Sequence, residues 1–248
     1  MKKNWLDKKK IIFYLVFILL AISTVYAIVM MIQTPSGTST TEYEHVKSDY
    51  VLMILQCVAG MIIIFLPRQV EQKFDIEIPD TMEILFFLFL FCAIYLGEVR
   101  NFYYKIPFWD MILHGFSAAM LGSLGFIIVA YLNRSKRVAL QLSPFFISLF
   151  AFCFATTVGL LWEVYEFLAD HLLGTNMQKF MTGEGEILSG HEALIDTMKD
   201  CIVNMLGALV IVSWGYIHLK HQEKRLSNLS RVHQKVEENN SERHKKEE

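Results

Sequence analysis

The sequence predicts an all-α membrane protein, a bundle of about six transmembrane helices with both termini in the cytoplasm. Apolar residues make up 54% of the 248-residue chain while its net charge is only −2, so apolar content rather than charge is the unusual quantity. These residues fall in separate runs, each long enough or nearly so to cross roughly 30 Å of hydrocarbon. Within each run they are continuous. A helix satisfies its own backbone in such a run, whereas barrel strands would alternate.

The first run extends from Ile11 to Gln33. Its basic start and the small-residue pattern Val25-Tyr26-Ala27 resemble a cleavable signal, but the apolar stretch continues to Met31. That length favours an uncleaved anchor. The second run, Tyr50 to Leu66, and the third, Met82 to Gly97, hold 17 and 16 residues, near the lower limit for spanning, which leaves partial interfacial placement open for one of them. Asp80 is expected to cap the third helix, with Glu83 completing a capping box and Pro79 closing the preceding loop. The fourth run covers Trp109 to Leu132, the fifth about Leu142 to Ala169, and the sixth about Met198 to Leu219. Residues 1–219 therefore read as one transmembrane domain and 220–248 as a charged cytoplasmic tail. In the tail Leu226, Leu229, Val232 and Val236 keep a rough helical spacing, read as a helix extension fraying into disorder, with a membrane-surface or partner contact as the weaker alternative.

With the first loop outside, the cytoplasmic side holds eighteen Lys and Arg residues, including Lys136 and Arg137, and the opposite side only Lys47, Arg100, Lys105, Lys179 and Lys199. This bias places the amino terminus inside, and an even helix count returns the carboxyl terminus there. Cys57, Cys92, Cys153 and Cys201 all lie in apolar segments without paired-metal spacing and read as small core residues. The loop from Thr34 to Asp49 reads as a solvated connection. The longer segment from Asp170 to Thr197 contains Gly174, Gly183, Gly185 and Gly190 with Glu184 and Glu186; a loop of that length is functional or disordered, and composition does not choose.

The informative pattern is the placement of ionisable residues on the last three helices. Asp110 and His114 are four residues apart where the fourth helix begins. Glu163, Glu166 and Asp170 recur at helical spacing where the fifth ends, and Asp196, Asp200 and Asn204 where the sixth begins. Each set lies on one helix face. At 1.5 Å rise per residue, His114 lies about 7 Å below the start of its helix, Glu163 about 10 Å below Asp170 and Asp200 about 6 Å below Asp196, a common depth beneath the outer surface.

Carboxylates facing lipid cost a few kcal/mol each, so these groups are expected to face one another or a wet cavity. A shared polar pocket would hold Asp110, Glu163, Glu166, Asp196 and Asp200, opposed only by His114 and by Arg100 or Lys199. Such a pocket must hold protons or a cation. If the cation is a divalent metal, Asp110, His114, Glu163 and Asp200 are the candidate ligands; oxygen donors with one imidazole suit Mg, Ca or Mn, with Zn open as well. A substrate ammonium or a basic side chain of the chain would neutralise the pocket equally well. The bland reading is that the carboxylates are interfacial groups, with Asp196 a helix cap, Asp170 solvated and His114 a satisfied buried histidine. Gly115, Gly122, Gly125, Gly207 and Ala208 would let helices approach closely. Phe102, Tyr103, Tyr104, Phe108 and Trp109 would form an interfacial belt or rim the pocket.

The ordered motifs Tyr104-x-x-Pro107-Phe108-Trp109-Asp110-x-x-x-His114-Gly115, Trp162-Glu163-x-x-Glu166 and Asp196-Thr197-x-x-Asp200-x-x-x-Asn204-x-x-Gly207-Ala208 resemble the YjdF-like bacterial membrane proteins. More distantly they are similar to VanZ-like proteins. The resemblance spans roughly Glu98 to Val210 and implies a multi-helix protein of the bacterial cell membrane with no established activity.

The leading functional expectation is an integral membrane protein of unassigned activity that binds a cation or a polar headgroup near the outer face, with the bilayer and a lipid or envelope headgroup as partners. One alternative is a metal-assisted hydrolase or transferase acting on lipid or envelope precursors. The sequence contains no G-x-S-x-G or H-E-x-x-H pattern to support it. Others are a proton- or ion-coupled transporter, which would prefer charges near the bilayer middle, and a purely structural role. No motif supports nucleic-acid binding.

Overall fold

A computed structural model describes residues 2–34, 46–134, 142–182 and 186–247. Lys136, Arg137, Gly183, Glu184 and Gly185, and most of the first loop, lie outside the described residues. The described chain is helical: α1 Lys2–Gln33, α2 Lys47–Ile63, α3 Leu66–Phe74, α4 Asp80–Leu90 continuing into a π-helical segment Phe91–Val99, α5 Phe102–Lys105, α6 Trp109–Arg134, α7 Pro144–Leu173 and α8 His191–Glu247.

Among the described residues, six helical stretches are long and apolar enough to cross a membrane: Lys8–Gln33, Lys47–Phe74, Asp80–Val99, Trp109–Asn133, Pro144–Leu173 and His191–Gln234. The second and third thus reach 28 and 20 residues, longer than their apolar runs, because polar residues at their ends stay helical. Only 17% of the most apolar window of α7 or α8 is buried by the chain itself. Ile22, Ile62, Leu160, Val210 and Trp214 all stand exposed. A water-soluble protein could not present such continuous apolar surface, and lipid is the solvent that covers it.

Local chemistry explains the interruptions. Pro67 follows the break between α2 and α3, where its missing N–H and fixed φ suit a first helical turn, and Phe65 N donates to Ile62 O there. In the third span Arg100 N donates to Tyr95 O, an i to i+5 bond of the π type, and Asn101 ends the segment at φ 63°. A Cβ on Gly97 would sit 2.5 Å from the Tyr103 ring, so glycine lets that ring lie on the segment. Ser143 caps α7 by accepting from Phe146 N, ahead of Pro144. The expected capping box on α4 does not form. Pro79 occupies the cap position, while Asp80 and Glu83 bind Lys9 of α1 at 2.7 and 2.5 Å. A nearby ammonium satisfies those carboxylates better than backbone N–H groups do, and it fixes the starts of α1 and α4 at one end of the bundle.

Packing forms two groups. Val16, Leu20, Met53, Cys57, Phe87 and Leu90 make the core of α1, α2 and α4. Ala118, Ala155 and Ala208 make the contact between α6, α7 and α8, where small residues draw backbones together. A Cβ on Gly207 would lie 2.7 Å from Gly115 O, and one on Gly125 would lie 2.8 Å from Ala151 Cα. Phe89 stacks on Phe116, ring centroids 6.2 Å apart, and joins the two groups. The tail continues as the helical end of α8 through the described residues.

Candidate functional site

The close approach of α6, α7 and α8 brings polar residues from all three to the end of the bundle where α6 begins, α7 ends and α8 begins. His114 of α6 is the centre. Its Nε2 lies 3.6 Å from Asp110 Oδ1 and its Nδ1 lies 3.7 Å from Glu163 Oε1 of α7. Asp110, His114 and Asp200 of α8 each present one ligand atom within 4.8 Å of the others. His114, Glu163 and Asp200 are buried, Asp200 at 1% exposure.

Among the described residues, both carboxylate oxygens of Asp200 and both of Glu163 are buried without a hydrogen-bond partner, as are Asn204 Oδ1 and Trp109 Nε1. Taking a carboxylate out of water costs several kcal/mol unless a counter-charge or donors replace the solvent. Four buried oxygens without a partner, beside an imidazole and a third carboxylate, make a set that a cation or protons would complete.

The remaining expected residues are placed as follows. Glu166 is buried, and its Oε1 accepts from Trp162 Nε1 at 2.9 Å, a bond within α7. Asn204 sits against Gly159, where a Cβ would come 1.4 Å from Asn204 Nδ2. Asp196 is part-exposed and meets Lys179 Nζ at 3.4 Å. Asp170 is not solvated. It is 9% exposed and accepts from Thr175 Oγ1, Met177 N and Gln178 N at 2.6, 2.7 and 2.9 Å, because the chain after Gly174 folds back over it.

That fold-back supplies a cation the sequence reading did not assign to the cluster. Lys179 Nζ bonds Asp110 Oδ2 and lies 5.8 Å from the centre of the Tyr103 ring. Arg100 and Lys199, the cations expected to oppose the carboxylates, are both exposed, and Lys199 is close enough to Asp196 to act on its charge. Asn176 holds the segment by exchanging two side-chain bonds with the backbone of Met181, and Gln178 Nε2 donates to Thr197 Oγ1 of α8. Lys179 itself has φ 49°, a left-handed conformation that costs a non-glycine residue roughly 1–2 kcal/mol. Burial alone would lower the Lys179 pKa, but Asp110 and Asp196 outweigh it and hold the ammonium above the usual lysine range. The available signal was that Lys179 is the sole Lys or Arg between Arg137 and Lys199.

Two comparisons bear on this arrangement. The family described as "Predicted membrane protein (DUF2238)" matches residues 10–221, which include the second to fifth apolar stretches whole, most of the first and sixth, and every residue of the cluster. An uncharacterized protein of Thermotoga maritima is 28% identical over 155 residues, covering 61% of this chain and 70% of the relative. No solved structure matches. The family match bears out the resemblance to membrane proteins of unestablished activity and carries nothing about the more distant VanZ-like likeness.

Proposed function

We propose that this chain, which belongs to the DUF2238 family of membrane proteins, binds a divalent metal ion between α6, α7 and α8. Asp110, His114 and Asp200 are the ligands in this reading, with Glu163 beside them. The observation that carries it is the pair of buried carboxylates, Glu163 and Asp200, that accept no hydrogen bond among the described residues, next to the Asp110, His114 and Asp200 group. Three oxygen donors and one imidazole suit Mn or Mg, and a tighter four-coordinate arrangement suits Zn. A bound divalent ion would offset negative charge at Glu163 and Asp200, neither of which Lys179 bonds.

The same proposal places the protein in the bacterial cell membrane with both termini inside, so that the cluster opens toward the outer leaflet. The basic bias of the connecting segments supports that orientation. A site there meets lipid and envelope headgroups, and the metal would polarise an ester or phosphoryl oxygen brought to it.

Metal content by mass spectrometry of detergent-purified protein tests the reading, with Asp110→Asn, His114→Ala, Glu163→Gln and Asp200→Asn variants that remain folded. Near-stoichiometric metal, lost when Asp110, His114 or Asp200 is replaced, is expected. Folded wild type that takes up no divalent ion, even when supplied, would end it.

A further inference from the structure

We infer that Lys179 is a tethered counter-cation of the cluster, which a divalent ion must displace from Asp110, and that Lys179 thereby sets the site's selectivity for divalent over monovalent cations. This rests on the metal reading above. Three features carry it. First, Asp110 is shared: Oδ1 faces His114 while Oδ2 bonds the Lys179 ammonium, so a metal drawing on Asp110 acts on the same carboxylate the lysine holds. Like charges a few ångströms apart repel strongly where water is scarce.

Second, the lysine is delivered by a segment anchored independently of its ammonium. Asp170 binds the backbone at Met177 and Gln178, and Asn176 binds Met181. The left-handed backbone at Lys179 is thus held by bonds on both sides of it. Such a conformation persists where the surroundings over-determine it. Withdrawal of the ammonium therefore needs only side-chain rotation, and a side chain 23% exposed has a route to solvent.

Third, the surroundings of the ammonium are those of a cation site in their own right: Asp110, Asp196 and the Tyr103 ring, two carboxylates and an aromatic face. A monovalent ion entering the cluster gains no more charge than the lysine already supplies, at the cost of removing a tethered group. A divalent ion brings twice the charge and takes ligands the lysine does not touch, His114 and Asp200. The apparent affinity for metal is then reduced by the fraction of molecules in which the ammonium stays bound.

The test uses full-length protein in detergent and Mn²⁺ as the probe. Mn²⁺ titration is compared between wild type and Lys179→Met, which keeps an unbranched apolar stem, with thermal melting to confirm that the variant is folded. Loss of the ammonium is expected to tighten Mn²⁺ binding about tenfold or more. In parallel, labelling of Lys179 in the wild type by an amine-reactive ester, read by peptide mass spectrometry against exposed Lys199, needs no variant. Its labelling is expected to rise severalfold with Mn²⁺, over the same concentrations that fill the site, and not with Na⁺ at matched ionic strength. Mn²⁺ binding that leaves Lys179 labelling unchanged, equal affinity in folded Lys179→Met, or an equal rise with Na⁺ would overturn the inference while sparing the metal site. Absence of Mn²⁺ binding in both proteins would overturn the metal reading and this inference with it.

Discussion

Replacing Gly207 by alanine tests whether the backbone contact between α6 and α8 sets the geometry of the cluster. The added Cβ would lie 2.7 Å from Gly115 O, 3.2 Å from Gly115 Cα and 3.3 Å from Ala118 Cβ. Two of those three atoms are backbone, so no side chain can rotate away and the helices must separate by several tenths of an ångström. Overpacking of this kind costs roughly 1–3 kcal/mol. For a chain of this size that lowers the melting temperature by on the order of 2–12 °C, measurable by tryptophan fluorescence or dye binding in detergent. Gly159→Ala is the comparison. The three atoms nearest its Cβ all belong to the Asn204 side chain, Cγ at 2.4 Å among them, so Asn204 must leave its present rotamer while the backbone contact between α6 and α8 is untouched. A Gly207→Ala protein that melts with wild type would refute the claim that α6 and α8 are held at backbone contact below the cluster.

Other consequences follow from single residues. Lys9→Ala leaves buried Glu83 without its ammonium and should cost roughly 1–3 kcal/mol; adding Glu83→Gln should restore at least half, as read by melting. Asp200→Asn should be no less stable than wild type in chelator, because it removes a buried unpaired carboxylate. It should also lack the gain of about 2.7 kcal/mol that Mn²⁺ at a hundred times its Kd gives a specific site. The Lys179 pKa is raised on folding, so its ammonium contributes stability below the unfolded lysine pKa, and that contribution is lost as pH climbs through the higher folded value. Melting curves above about pH 10.5 should therefore fall more steeply for wild type than for Lys179→Met. Asp170→Ala strips acceptors from Met177 N and Gln178 N and should raise hydrogen exchange across 175–182 while leaving α1, α2 and α4 unchanged.

The spans were legible because continuous apolar runs allow little but a helix in lipid. Their ends were not, since Lys47, Gln69 and Lys73 remain helical although hydropathy stops short of them. The π segment left no trace in composition. Asp80 and Glu83 had the spacing of a capping box, but spacing along one helix cannot reveal a lysine arriving from another. The alignment of Asp110 with His114, and of Asp196 with Asp200, followed from helical periodicity, and the small residues between them anticipated the approach of the three helices. Lys179 was legible as a lone cation in its segment but not as a partner of Asp110. Its position depends on a left-handed backbone and on Asp170 and Asn176 binding the local chain, none of which a periodicity argument captures.

Electron–nuclear spin spectroscopy of the Mn²⁺-loaded protein tests directly whether His114 ligates a metal. One strongly coupled imidazole nitrogen is expected in wild type and should disappear in His114→Gln. Mn²⁺ bound without any nitrogen coupling, or coupling that survives that substitution, would contradict that ligation.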